Sequence, residues 1–560
     1  MTKDIVHQVD AVITAVRACC ENRSTWCLLG FSSLYLLLTA SIATQRMLWN
    51  DELFTLYLSQ LGNLSDMLAA LSTGADQNPP SFYALTHGIL SLLGQSELAV
   101  RLPEVLGVLL MCLCLFRFVS RRSGALYGFA AMLFPLITTA YEYAYEARPY
   151  GLVLGFSSLA LLCWQEATDG SRRGLWLLGL ATSGAAAVSS HYYGVFLLIP
   201  LGIGELVRSL IHRRVDPPIW MAIGGMVAPL LLFLPFIQQA STYSHHFWAQ
   251  PEWRMIPGFY YFLLTPAIGP IVATWIVASL WPIRDSELWP PSLHEAPQWP
   301  WPEIAAAFGF VLIPVITVML AKFVTGAFTY RYALSAVIGF SILCAIAAQR
   351  MDGGRAIMGC CLVLFSCTWF VATGVIQMKQ QAVIAASWSK SYKFLQSEGD
   401  QVLPIVAADL HTFMTLAHYA PPSLSSRVVY LADPQASIRH LGHDTVDRGI
   451  LDLKPWFHVA AEEYAPYLAS HSRFLVYTRV RGDRSWLGCY WGQPWNLSWL
   501  LYELHRAPVR IELRGRNDDD LLFLVTSSSG QERSAERHEQ PSAMPRMAMS
   551  DETPQPPCQR

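Results

Sequence analysis

Charge is what this chain has least of. Only 14% of its 560 residues are Asp, Glu, Lys or Arg, against about a quarter in an ordinary soluble domain. A soluble globular protein of this length is thereby excluded. The formal net charge is -2, so no basic surface is left over for a nucleic acid and no such partner is expected. None of the twelve cysteines form CxxC pairs, and most (Cys112, Cys114, Cys163, Cys344, Cys360, Cys361, Cys367) lie inside apolar runs. That pattern argues against a zinc site or a disulfide framework. GxxxxGK[ST], HExxH and GxSxG are missing as well, which leaves ATP hydrolysis and serine or zinc hydrolysis without support.

Apolar residues fill the space: 53% of the chain is hydrophobic. Runs of about 17–25 residues, each enough to cross a hydrocarbon core, recur from Trp26 to Ile376. They fall near 26–44, 101–119, 124–141, 150–166, 174–190, 193–210, 219–238, 262–281, 303–323, 332–349 and 355–377. The expected protein is multi-pass in the cell inner (plasma) membrane. Residues 1–25 are too polar for a signal peptide and read as a cytoplasmic segment. The basic connections are Arg117/Arg121/Arg122, Arg172/Arg173, Arg208/Arg213/Arg214 and Arg350/Arg355. All fall on one side if Asn78–Gly94 is an interfacial helix, and that side is then cytoplasmic. The opposite side receives residues 45–100, "YEYAYEARPY" (141–150), "HYYG" (191–194), 239–261 and "TGAFTYRY" (325–332).

Beyond residue 377 the composition changes. Short β-rich runs such as "SRVVYLAD", "RFLVYTR" and "LLFLVT" alternate with helix-like stretches, the pattern of a small α/β domain. The expected organisation is a transmembrane domain over 26–377, with a catalytic first outward loop at 45–100. An extracytoplasmic α/β domain over 378–526 follows, then a disordered tail over 527–560. The fold class is α-helical and polytopic, with about eleven transmembrane helices plus interfacial ones.

The outward loops hold the chemistry. In "LWNDELF" (48–54), Asp51 and Glu52 are wrapped by Trp49, Leu53, Phe54 and Leu56. Partial desolvation there raises proton affinity toward the range useful to a base. "YEYAYEARPYGL" clusters Glu142, Glu146 and Arg148 with four tyrosines, and Arg binds phosphate bidentately. "HYYG" offers His191 and Tyr192, "TYRY" offers Arg331 and Tyr332, and "DQNPPSFY" offers Asn78, with His87 on the helix that follows. Each also has a plain reading as turn residue, aromatic belt or charged helix flank. Ionisable groups gathered at one membrane face are nonetheless functional candidates.

Together "WNDE", "NPPSFYALTHGILSLLGQSELAVRLPEVLGVL", "YEARPYGL", "SHYYGVFLL" and "TYRYALSAVIG" resemble the GT-C-fold glycosyltransferases of family 39, the protein mannosyltransferase and aminoarabinose transferase relatives. The resemblance covers roughly 26–380. It implies transfer of a sugar from a polyprenyl-phosphate donor to a lipid, glycan or protein acceptor on the outer face. It passes the role of base to Asp51, and matches Glu146 and Arg148 to the family's second acidic loop. Some relatives carry Lys or His where this chain has Asn78, which puts aminoarabinose transfer in doubt and moves charge neutralisation to Arg148, Arg331 or His191. The resulting expectation is catalysis by Asp51, with Glu52 or Glu146 orienting hydroxyls. Substrate contacts are expected from Arg148, Tyr150, Asn78, His87, His191, Tyr192, Arg331 and Tyr332. No metal site is assigned, although carboxylates can hold a divalent cation. The rival from another class is a polytopic transporter or lipid flippase. It would place its charges at mid-membrane in broken, repeated helices, whereas these sit at span ends on one face.

Overall fold

A computed structural model describes residues 3–280, 298–352, 356–400, 402–479, 498–517 and 520–527. Past Ser527 the expected tail lies outside them. Seven helices among the described residues are long and apolar enough to cross a membrane by length and composition. They are Ser24–Gln45, Glu97–Ser123, Tyr192–His212, Pro217–Ser241, Met255–Leu280, Trp301–Thr325 and Ile357–Glu398. Ala125–Ile137, Tyr150–Asp169, Arg173–Ser190 and Ala336–Asp352 stand where the remaining spans were expected. These last four are rich in glycine, serine and alanine, small residues that let helix backbones approach closely.

A close approach joins Glu97–Ser123 to Tyr150–Asp169. A Cβ on Gly107 would stand 2.5 Å from the Gly151 carbonyl, and one on Gly155 would stand 2.4 Å from the Gly107 oxygen. Glu104 adds a polar stitch at the same crossing. Its Oε2 accepts the Leu152 amide at 2.9 Å, one of the orphan donors that Pro149 at the N-cap cannot satisfy. The start of the helix that carries Tyr150 is therefore held against its neighbour.

The segment Pro80–Leu93 is a separate 14-residue helix with Pro at its first position, closed by Gly94 at φ 83°. It exposes Leu85, Leu92 and Leu93 and buries Phe82, Tyr83 and Thr86, as an interfacial helix should. At the other end of the bundle the basic connections meet acids from neighbouring helices. Arg122 pairs with Glu303 at 2.6 Å, Arg121 with Glu166 at 2.8 Å, and Arg208 with Asp216, at the head of the next helix, at 2.8 Å. Ser123 donates to Gln349 at 2.5 Å, which brings the Arg350 end to the same side.

The long helix Ile357–Glu398 leaves the bundle and leads into a six-stranded sheet. Its strands are β1 (Ile405–Ala407), β2 (Val428–Ala432), β3 (Ala461–Glu463), β4 (Arg473–Arg479), β5 (Val509–Arg516) and β6 (Asp520–Ser527), in the order β3-β2-β1-β4-β6-β5. The first four are parallel, with Ile405 opposite both Val428 and Leu475, joined by the helical crossovers that parallel strands require. β6 and β5 close the sheet antiparallel. One buried cluster runs from Leu53, Leu56 and Leu58 of the loop after the first span to Phe413, Met414 and Ile405 of the α/β domain. Loop and domain share a core.

The glycine crossing makes a testable demand. Gly107→Leu should overpack it and lower stability by about 2–3 kcal/mol, seen as a drop in the unfolding midpoint of the purified protein.

Candidate active site

Four of the segments expected to face outward converge on one place. The helix Asn50–Ser59 brings Asp51 and Glu52, and the turn ending in Pro149 brings Glu146 and Arg148. The end of helix Arg173–Ser190 brings His191, and the short turn Tyr330–Ala333 brings Arg331 and Tyr332.

Asp51 and Glu52 face opposite ways because neighbouring residues on a helix do not share a side. Glu52 is wholly buried and forms a fork-to-fork pair with Arg101: Nε to Oε1 and Nη2 to Oε2, both 2.7 Å. Its Oε1 also accepts the Ala147 amide at 2.7 Å, and its Oε2 the Trp49 amide at 3.3 Å. Burial raises the proton affinity of this carboxyl, but the charges of Arg101 and Arg46 outweigh it, and the net shift is downward. Both oxygens are committed, so Glu52 has none to offer a substrate hydroxyl. The expectation that it orients the acceptor or sugar is corrected: it orients the loops.

Asp51 points into the gathered loops, and its side chain is 21% exposed. Arg331 Nη1 donates to its Oδ2 at 3.0 Å, and Asn50 lies 3.4 Å from Oδ1. The Arg331 guanidinium sits among the rings of Trp49, Tyr150 and Trp248, at 5.8, 5.7 and 6.0 Å from their centres, a setting suited to a poorly hydrated cation. Tyr150, His191, Tyr193, Arg331 and Tyr332 line a cleft of about 10 Å³, room for one water. A sugar ring enters only when these side chains part.

Arg148 is engaged by a residue the sequence reading passed over. Asp76 accepts from Nη1 at 2.9 Å and from Nη2 at 3.2 Å. Burial pushes the Asp76 carboxyl up, and Arg148, with the hydroxyl of Tyr83 and the amide of Asn78, overcomes it and holds it down. The Asn78 amide donates to Asp76 at 2.8 Å and to Tyr83 at 3.2 Å. Asn78 thus stands behind Arg148 as a support and not as a substrate contact. Of the Arg148 donors, buried Nε has no hydrogen-bond partner among the described residues.

Glu146 and Glu142 form a second acidic pair. Burial lifts the Glu146 carboxyl to about 7, despite Arg46, whose Nη2 lies 3.8 Å from it. Burial likewise lifts Glu142 to about 8. Glu146 Oε1 and Glu142 Oε2 have no hydrogen-bond partner among the described residues.

Three expected contacts are placed differently. His191 lines the cleft, but burial and the charges of Arg148 and Arg331 hold its imidazole down at about 3. It is neutral at physiological pH, and its Nδ1 accepts the Tyr193 amide, so it cannot neutralise a phosphate. His87 bonds the Ser59 carbonyl at 2.8 Å, tying two helices together away from the cleft. Tyr192 faces Phe233, while its neighbour Tyr193 lines the cleft. Among the described residues no three of His, Cys, Asp and Glu are grouped to hold a metal ion; Asp51, Glu52 and Asp76 each face an arginine instead.

Asp76, Arg101, Arg46 and Tyr193 were missed. Arg101 carried a signal, since a charge at the head of an apolar run needs a buried partner. Asp76 had a weaker one, lying two residues before Asn78 in the same quoted loop.

Residues 77–238 match the model of a family described as dolichyl-phosphate-mannose-protein mannosyltransferase. The match takes in Asn78, Arg101, Glu146, Arg148 and His191 and leaves out Asp51. The fold is shared with ArnT from Cupriavidus metallidurans. The apo form aligns over 90% of this chain and 98% of that one, at 12% identity and a TM-score of 0.55. The form bound to undecaprenyl phosphate aligns over the same shares, at 14% identity and 0.52. No curated protein matches the sequence. The family resemblance read from the motifs is borne out, as is the polytopic fold with its C-terminal sheet, and the expected class, a glycosyltransferase, is that of the matched family.

Two measurements test this geometry. Arg101→Met strands a buried carboxylate and should cost about 3–5 kcal/mol, of which Arg101→Met with Glu52→Leu should return part; thermal unfolding of both reads it. The infrared band of protonated carboxyl groups should fade as pH rises through about 7 and then about 8. Glu146→Gln should remove the first step and Glu142→Gln the second.

Proposed function

We propose that this membrane protein moves a sugar from a polyprenyl-phosphate donor to a hydroxyl of a lipid, glycan or protein, on the outer face of the inner membrane, with inversion at the anomeric carbon. One observation carries the reading: a partly exposed carboxylate, Asp51, paired with Arg331 at an aromatic cleft where four outward loops meet. The mannosyltransferase family match and the fold shared with a protein solved with undecaprenyl phosphate support the donor class.

Polyprenyl phosphate leaves readily as an anion, so the chemistry needs a base for the acceptor and cations for the departing phosphate. In this scheme Asp51 takes the acceptor proton as its oxygen attacks the anomeric carbon from the side opposite the phosphate. The bond from that carbon to the phosphate oxygen breaks, and its electron pair leaves with the polyprenyl phosphate. Arg331 receives the growing charge, and the open Nε of Arg148 adds a donor. Glu146, with one free oxygen and a proton affinity near neutrality, orients a hydroxyl. Tyr150 and Tyr332 wall the sugar. The α/β domain lies on the same outer side.

Asp51→Asn should lower release of polyprenyl phosphate from defined polyprenyl-phosphate sugars by about a hundredfold or more. Near-normal turnover of that variant overturns the assignment. Movement of intact donor across vesicles without release of polyprenyl phosphate would favour a transporter.

A further inference from the structure

We infer that the C-terminal α/β domain is a positioning clamp for the active site, setting both where Asp51 sits and how the roof over Arg331 is held. The inference rests on the site proposed above. Its first arm grips the catalytic helix. The Leu48 amide, buried three residues before Asp51, donates to the Tyr419 hydroxyl at 2.8 Å, and that hydroxyl lies 3.4 Å from Glu97. Nine residues beyond Leu48, the Tyr57 hydroxyl meets His418 Nδ1 at 3.1 Å. Phe457 packs between Phe54 and Tyr57, each ring centre 5.4 Å away. The helix Asn50–Ser59 thus lies between Arg101 on its inner side and the domain on its outer side.

The second arm grips a different loop. Arg448 donates to the Thr242 carbonyl at 3.1 Å and to its hydroxyl at 2.9 Å, and lies 4.0 Å over the Tyr243 ring. Tyr243 donates to Asp452, and the Asp444 amide donates to the His246 carbonyl at 3.3 Å. Six residues beyond Thr242 stands Trp248, the ring over Arg331. The helix Thr445–Leu453 that supplies these contacts also passes Ala75, the neighbour of Asp76. Two segments that flank Arg331, distant in sequence, are therefore both held by one domain. A misplacement of about 1 Å at a reacting group can cost on the order of a hundredfold in rate, so such a domain governs turnover without touching substrate.

The two arms predict separate defects in the full-length protein. Tyr419→Phe should speed hydrogen exchange at Leu48 and in Asn50–Ser59 and lower kcat about tenfold, with donor KM within about twofold. Arg448→Ala should speed exchange over 242–248 and weaken binding of undecaprenyl phosphate about tenfold, with a smaller effect on kcat. His440→Ala, which breaks the His440–Glu503 contact on another face of the domain, should change none of these. The clamp is overturned if exchange at both loops is unaltered, or if Tyr419→Phe and Arg448→Ala lower kcat and affinity in parallel with thermal stability. A wild-type protein that fails to bind undecaprenyl phosphate sinks the proposed donor instead, and the exchange data still decide whether the domain holds the two loops.

Discussion

The buried pair of Arg101 and Glu52 is the interaction on which the loop-bearing end of this protein depends. Arg101 sits in the first turns of a long apolar helix, where an uncompensated charge is among the most costly things a fold can bury. The cost is met by donors spent in full. Two go to Glu52, two from Nη1 to the carbonyls of Ala43 and Arg46 at 2.6 Å, and one to that of Met47 at 3.2 Å. Those carbonyls close the preceding membrane helix, so one side chain ends a span, starts the helix that carries Asp51 and, through Glu52 and the Ala147 amide, fixes the loop that carries Glu146 and Arg148.

The pair also explains why two adjacent carboxylates have different work. A helix turns about 100° per residue, so when Glu52 is drawn inward, Asp51 is turned toward the cleft and Arg331. The charges of the site then balance in separate couples: Asp51 with Arg331, Asp76 with Arg148, Glu52 with Arg101. Glu142 is left with the more distant Arg46, and Glu146 with Arg46 and Arg331, and burial wins there. A carboxyl that changes charge near neutral pH is where hydroxyl handling is best placed.

Much of this was legible in the residues because membranes simplify the problem. Length and apolarity mark a span whatever it packs against, which is why the helices and the short interfacial helix after Pro79-Pro80 fell where expected. The loops at Asp51, Arg148, His191 and Arg331 shared a face because the spacing of basic connections sets a side for each loop. What could not be read was partnership. Asn78 looked like a ligand and proves to brace Asp76. His191 looked like a cation and is kept neutral by the arginines around it. His87 looked like part of the site and ties two helices together instead.

The sequence by itself determined that the chain is a multi-pass membrane protein, which loops meet on one side of it, and which residue types stand there to do acid, base and cation chemistry. Those follow from hydropathy, charge spacing and local motif, all of them properties of short stretches. Only the tertiary structure decided which carboxylate faces water, which arginine neutralises which acid, and that the C-terminal domain shares a core with the loop that carries Asp51. Proton affinity and ion pairing depend on distances of a few ångströms between residues hundreds of positions apart, such as Asp51 with Arg331 or Leu48 with Tyr419.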